Sequence, residues 1–210
     1  MSLGVWRGII CQKCAVEYIY ATRKKRLYYL SKNAVKRHWC EVGCVLFGLV
    51  PAILEAYPDA IIISLARDGR KVVRSGLNDG WYFGEGFWKE NEITPHGTHL
   101  IVEERWREMS RIEKCTWKWR VLAETGLQTA HVTVRLEDLV GENGVYHWNK
   151  IAHICGLPEV TAEQYDPLRT KPENVTVHKT VPPFAAWTKK EQNDFWAWGK
   201  PLMAKLGYMH

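Results

Sequence analysis

Hydrophobic residues follow two different spacings along this chain, one typical of helices and one typical of buried strands. From Val45 to Tyr57 they recur three or four residues apart, which predicts an amphipathic helix. Ala60 to Ala66 is a continuous, largely β-branched run, which predicts a strand buried on both faces of a parallel sheet. Asp68 and Gly69 then supply a turn and a cap, and Arg70 to Leu77 has the pattern of a helix.

The second half of the chain repeats this alternation of helices and strands. A helix is predicted from about Val102 to Thr125, ended by Gly126, and His131 to Leu136 is predicted to be a second strand. A short helix over 149–155 follows, and Thr188 with its capping-box glutamate begins a long final helix. Two β-branched strands among helices predict the α/β class.

Composition fits a single globular domain with a small appendage. The chain has 210 residues, of which 46% are hydrophobic and 25% charged. Residues 1–45 are basic and hold four of the six cysteines, so they are predicted to form an N-terminal subregion, with the α/β domain over 46–210. The net charge of +6 favours anionic partners. The sequence shows no signal peptide and no transmembrane run, so a cytoplasmic location is expected.

Arg67 stands where ligands bind in open α/β sheets, at the carboxyl end of a strand. Its guanidinium can hold a phosphate through two hydrogen bonds, and the amides after Gly69 would add positive potential. Ser75 can offer a hydroxyl to the same group. The alternative is that Arg67 pairs with Asp68 or Glu137 and that Ser75 only fills a helix position.

The segment from Tyr57 to Ser75 resembles the 3′-phosphate-binding strand and helix of the sulfotransferase family. It has the order aromatic-Pro-Asp-Ala, strand, Arg-Asp-Gly-Arg, two apolar residues and Ser. Three other stretches are similar in order and spacing to family segments: Trp39 to Glu41, Val134 to Leu139, and Trp187 to Tyr208. The resemblance implies a three-layer α/β/α fold with a parallel sheet, of the P-loop-nucleotide-hydrolase-like sulfotransferase type.

The resemblance also implies a donor, 3′-phosphoadenosine 5′-phosphosulfate, and transfer of its sulfuryl group to a hydroxyl or amine of a small molecule or glycan. No metal is needed. Arg67 and Ser75 would hold the 3′-phosphate, and Lys179, or Lys171, would stand in for a late basic loop of the family. Arg70 is expected to be structural, and Leu136 would give the adenine an apolar contact.

One family signature, the glycine-rich phosphosulfate loop, has no counterpart in residues 1–45. Either the reading frame is truncated at its N-terminus, or a divergent N-terminal subregion replaces the loop. The catalytic residues stay unknown, although four residues are available as a general base: His38, Glu41, His96 and His99.

A second interpretation is a catalytically inactive nucleotide- or nucleic-acid-binding protein with a small zinc site. Its ligands would come from four cysteines and a histidine, Cys11, Cys14, Cys40, Cys44 and His38, although free thiols without metal are favoured. The run Arg23 to Arg26, interleaved with tyrosines, would then suit nucleic acid, which is otherwise not an expected partner. The aromatic loop from Trp81 to Trp88 is predicted to shape the acceptor pocket or to pack in a homodimer.

Overall fold

The computed structural model describes residues 11–32, 40–43, 46–83, 92–95, 101, 103–170 and 180–209. The chain forms two compact units. The first comprises Met1–Ile62 with Pro95–Ile101, and the second comprises Ile63–Thr94 with Val102–His210. The division predicted between an N-terminal subregion, 1–45, and an α/β domain, 46–210, stays a prediction, and its boundary lies inside the first unit.

The first unit is a helical pair. Helix α1 (Gln12–Lys32) packs against helix α2 (Val50–Ala56), which follows a 3₁₀ turn (Phe47–Leu49). The buried side chains of α1 at this contact are Ala15 and Ile19. The helix predicted from Val45 to Tyr57 thus has its α-helical part only from Val50, where Pro51 lies in the first turn and needs no amide partner.

The second unit holds a small parallel sheet among helices. In chain order its elements are β1 (Ile63–Ala66), α3 (Gly69–Asn78), α4 (Glu103–Glu108), α5 (Arg111–Thr129), β2 (Val132–Arg135), α6 (Leu136–Val140), α7 (Gly144–Ile154), α8 (Ala162–Thr170), a 3₁₀ turn (Phe184–Ala186) and α9 (Lys189–Lys205). Strands β1 and β2 pair in parallel, with Ile63 opposite Val132 and Ala66 opposite Arg135. The α/β class and the parallel pairing are confirmed, in a described structure that is mostly helical.

The prediction that the first strand is buried on both faces is wrong. Ala66 is 5% exposed, but Ile63 and Leu65, whose side chains point to the opposite face, are 38% and 56% exposed. Strand β1 therefore buries one face in the core and leaves an apolar face accessible in the described structure.

The core of the second unit lies between α3, α5 and α9. Its fully buried side chains include Phe195, Leu202 and Met203 from α9 and Val73 from α3. The capping box predicted for the final helix is present, since the Thr188 hydroxyl accepts from the Glu191 amide and the Glu191 carboxylate accepts from the Thr188 amide. These contacts fix the start of the helix that supplies much of the core.

The long helix predicted from Val102 to Thr125 is two helices. Ser110 interrupts it because its side chain caps α5, in a capping box with Glu113. Gly126 does not end α5, which continues to Thr129. A Cβ at Gly126 would lie 2.3 Å from Ser64 Oγ, so this glycine allows α5 to approach β1 closely.

Two further elements differ from the sequence prediction. Helix α7 begins at Gly144, five residues before the predicted start at Asn149, and α8 was not predicted. No helix in the described part of the chain combines the length and the apolar character that crossing a membrane requires. The cytoplasmic location stays a prediction.

Candidate phosphate-binding site

Arg67 follows β1 directly and lies at the carboxyl end of the parallel pair. Its side chain is exposed, and it makes no hydrogen bond or ion pair with any residue that the structure describes. The alternative in which Arg67 pairs with Asp68 or Glu137 is wrong, because other side chains bind both carboxylates. Arg67 is thus a cation directed to solvent at the sheet edge where α/β proteins bind ligands.

Asp68 forms its ion pair with Arg70. Arg70 Nε lies 3.0 Å from Asp68 Oδ1, and Arg70 Nη2 lies 2.7 Å from Asp68 Oδ2. The hydrogen bond to Asp68 raises the pKa of Arg70 above its ordinary value. Arg70 Nη2 also donates to the carbonyl of Tyr208 at 3.2 Å. Arg70 therefore ties the start of α3 to the C-terminal segment, which is the structural role predicted for it.

The amides at the start of α3 are already used within the helix. The Arg70 amide donates to Asp68 Oδ1 at 2.9 Å, and the Lys71 and Val72 amides donate to the Asp68 carbonyl. These three amides are therefore not free to donate to an anion, and the positive potential expected at the start of α3 stays a prediction. Phosphate binding here would depend on side chains.

Arg67 precedes α3, and within the helix Lys71 and Ser75 lie on one face, because residues four apart in a helix lie one above another. Lys71 Nζ lies 3.2 Å from Glu137 Oε1, and 55% of its side chain is exposed. Ser75 is half-buried, and its hydroxyl lies 3.5 Å from Asp79 Oδ2. Lys71 was not identified as a candidate from the sequence, although its position midway between Arg67 and Ser75 along the chain pointed to it.

Ser75 lies beyond the first turn of α3, at a distance from the strand end that carries Arg67. Six residues from Gly69 to Ser75 correspond to about 9 Å of helix axis. Arg67 and Ser75 do not contact each other, so one phosphate would join them only with the Arg67 side chain extended along α3.

Glu137 lies in the first turn of α6, directly after β2, and accepts hydrogen bonds from two other segments. It accepts from the Tyr208 hydroxyl at 2.7 Å and from Lys71 at 3.2 Å. Burial alone would raise the pKa of Glu137, but the hydrogen bonds from Tyr208 and Lys71 outweigh burial and lower it. Burial and the facing Glu137 carboxylate raise the pKa of Tyr208 above its usual range. Glu137 therefore ties the end of β2 to Lys71 of α3 and to Tyr208 of the C-terminal segment.

The catalytic base is still unassigned. Of the available residues, Glu41 forms an ion pair with Arg23, whose Nη2 lies 2.6 Å from Glu41 Oε1. The three histidines lie outside the described residues, as do Lys171 and Lys179. Leu136 is half-buried at the start of α6.

The cysteines predicted as alternative zinc ligands are only partly described. Cys11, Cys14 and Cys40 are exposed free thiols, whereas Cys44 and His38 lie outside the described residues. Within the ranges that the structure describes, no three Cys, His, Asp or Glu side chains are grouped as metal ligands would be. The zinc site stays a prediction.

The aromatic loop contributes to the core rather than to an open pocket where it is described. Trp81 packs against α3 at Gly76, and the Lys118 ammonium lies 3.9 Å from the centre of its ring. The hydroxyl of Tyr82 donates to the carbonyl of Ile93. Phe83 is 74% exposed, and residues 84–90 lie outside the described residues.

A separate cavity of about 360 Å³ lies between β2 and α7. It is lined by Val132, Thr133, Val134, Arg135, Asp138, His147, Lys150, Ile151 and Ile154. Its cationic Arg135 is paired with Asp138 at 2.6 Å. None of the residues predicted to bind the nucleotide lines this cavity.

Comparison of the chain with protein-family models, with curated proteins and with solved structures gives no match.

Proposed function

We propose that the chain is a sulfotransferase-like protein that binds the 3′-phosphate of 3′-phosphoadenosine 5′-phosphosulfate at the carboxyl end of β1. Arg67 carries this proposal. It is an exposed arginine at a strand end, inside a segment with the family's residue order, and no described carboxylate neutralises it.

The donor set around Arg67 suits a phosphate. Arginine presents a planar fork of N–H groups that matches two phosphate oxygens, and Lys71 adds a second positive charge in the first turn of α3. Ser75 would donate a hydroxyl hydrogen bond. Two carboxylates would compete with the phosphate for these donors. Glu137 accepts from Lys71, and Asp79 accepts from the Ser75 hydroxyl, so the phosphate would have to replace both.

The bound donor would supply the sulfuryl group, which an acceptor hydroxyl or amine takes by attack on sulfur. The residues of this chain would hold the 3′ end of the donor and orient it, which lowers the entropic part of the barrier. The three-layer sulfotransferase fold belongs to the same proposal. It is supported by the sequence of β1, turn and α3 and by the parallel strand β2, whose following turn holds Glu137.

Calorimetric titration tests the 3′-phosphate site directly. The chain should bind 3′-phosphoadenosine 5′-phosphate more tightly than adenosine 5′-phosphate, which lacks the 3′ group. Arg67→Ala should remove that preference, because a charge-assisted hydrogen bond contributes about 2 kcal/mol, or roughly a 30-fold change in Kd. Arg107→Ala is the matched control, since Arg107 is 73% exposed and, among the described residues, pairs only with Glu103 of its own helix.

Equal affinity of the unmutated protein for the two nucleotides would refute the site. The transfer step needs its own measurement, which is release of 3′-phosphoadenosine 5′-phosphate from the sulfuryl donor in the presence of hydroxyl and amine acceptors. A protein that discriminates between the nucleotides but never releases product would match the alternative of an inactive nucleotide-binding protein.

A further inference from the structure

Two exposed cysteine thiols lie side by side at the start of α1. Cys11 immediately precedes the helix, and Cys14 lies in its first turn. Their Sγ atoms are 2.9 Å apart, and the Cys14 amide donates to Cys11 Sγ at 3.3 Å. A disulfide has an S–S length of about 2.05 Å, so the two sulfurs need to approach by only about 0.9 Å to bond.

The helix that carries these thiols is anchored by contacts below them. Ala15 and Ile19 are fully buried against the α2 side of the first unit. In the same turn as the thiols, Gln12 Nε2 donates to Glu55 Oε2 at 2.8 Å. The backbone that sets the separation of the two sulfurs is therefore packed, while the sulfurs themselves are open to reagents.

The two thiols are chemically unequal. The side-chain hydrogen bond with Cys14 and the hydrogen bond from the Cys14 amide lower the pKa of the Cys11 thiol. The same side-chain hydrogen bond raises the pKa of the Cys14 thiol. Cys11 thus has the features of an attacking thiol, and Cys14 those of a thiol that acts second.

We propose that Cys11 and Cys14 form a redox-active dithiol that exchanges with low-molecular-weight disulfides of the glutathione type. The Cys11 thiolate attacks one sulfur of the external disulfide, whose S–S bond breaks and releases one thiolate. Cys14 then loses its proton to solvent and attacks the Cys11 sulfur, releasing the second thiolate. Two protein thiols are oxidised to one disulfide, and one external disulfide is reduced to two thiols.

The full chain is first equilibrated with reduced and oxidised glutathione at a series of ratios. Free thiols are then blocked with a maleimide, and the cysteine peptides are mapped by mass spectrometry. The expected product in the unmutated protein is an internal disulfide between Cys11 and Cys14, which dithiothreitol reverses. Zinc is measured in the same preparation.

Substitutions separate the two roles. Cys14→Ser should lose the internal disulfide and accumulate one glutathione on Cys11, because the second attack is no longer available. Cys11→Ser should lose the internal disulfide and form its adduct at Cys14 more slowly. Cys40→Ser is the control, because Cys40 is exposed as well but contacts no thiol among the described residues. It should leave the Cys11–Cys14 disulfide unchanged.

Three results would overturn the proposal. The first is an absence of the Cys11–Cys14 disulfide at every glutathione ratio, and the second is a disulfide from either residue to Cys40. The third is one equivalent of bound zinc that protects both thiols from the maleimide, which would assign them to a metal site instead. All three readouts are independent of nucleotide binding, so they do not depend on the proposed phosphate site.

Discussion

Replacing Tyr208 with phenylalanine tests the network that joins the strand ends to the C-terminal segment. The substitution removes the hydroxyl that donates to Glu137 Oε2 at 2.7 Å and keeps the ring, which is part of the core. A hydrogen bond to a charged group contributes about 1.5–3 kcal/mol to stability. Because 26% of the Glu137 side chain is exposed, water can replace part of this contact. We therefore expect a loss of about 1.5 kcal/mol at neutral pH.

The loss should become smaller in acid. The Tyr208 hydroxyl is one of the contacts that lower the pKa of Glu137 in the folded protein. A carboxyl group with a lowered pKa stabilises the fold above its unfolded value of about 4.3, and this contribution disappears as the pH falls through the folded value. Tyr208→Phe removes part of that contribution, so the difference between the two proteins is full at about pH 7 and decreases toward about pH 3.

Urea unfolding followed by tryptophan fluorescence gives the free energies of unfolding at both pH values. Tyr146→Phe is the matched control, because Tyr146 is 57% exposed and its hydroxyl bonds no described residue. The control should change stability by less than about 0.5 kcal/mol. An equal loss for Tyr208→Phe at both pH values would refute the reasoning, since it would trace the effect to ring packing. So would an unchanged stability at neutral pH.

Two further substitutions probe the second unit. Ser110→Ala removes the cap that separates α4 from α5. It should lower the free energy of unfolding by about 1 kcal/mol in thermal or urea unfolding. Full stability in this variant would mean that the capping box with Glu113 contributes nothing. Gly76→Ala places a Cβ 2.3 Å from the Trp81 ring. The overpacking cost of about 1–3 kcal/mol should exceed the roughly 1 kcal/mol gained in helix propensity, so the variant should be less stable. A stabilised variant, or an unshifted tryptophan emission, would contradict the close contact.

Local signals predicted the elements that carry the candidate site. The β-branched run before Arg67 and the capping aspartate after it are signals that lie within a few neighbouring residues. The structure has a strand and a helix at these positions. The capping box at Ser110 is just as local, because serine precedes glutamate by three residues, so the break between α4 and α5 was open to prediction.

Other features depend on partners that are far apart in the chain. Arg67 lacks a described partner because Arg70 and Lys71 bind the nearby carboxylates, and the Lys71 contact joins residues 66 positions apart. Gly126 lies inside α5, where a Cβ would clash with Ser64, and no local pattern around Gly126 reveals that contact. The exposed face of β1 likewise depends on which layers cover the sheet, and a run of apolar residues does not specify their number.

The contacts of the C-terminal segment also affect the order of events during synthesis. Tyr208 lies 71 residues beyond Glu137 and 138 beyond Arg70, the two side chains that it binds. At about 5–20 residues per second, a ribosome needs roughly 4–14 s to add the residues between Glu137 and Tyr208. Throughout that interval the nascent chain carries both strand ends without the segment that fastens them. Fastening of the two strand ends is therefore a late event in biosynthesis, whereas the contact between α1 and α2 can form much earlier.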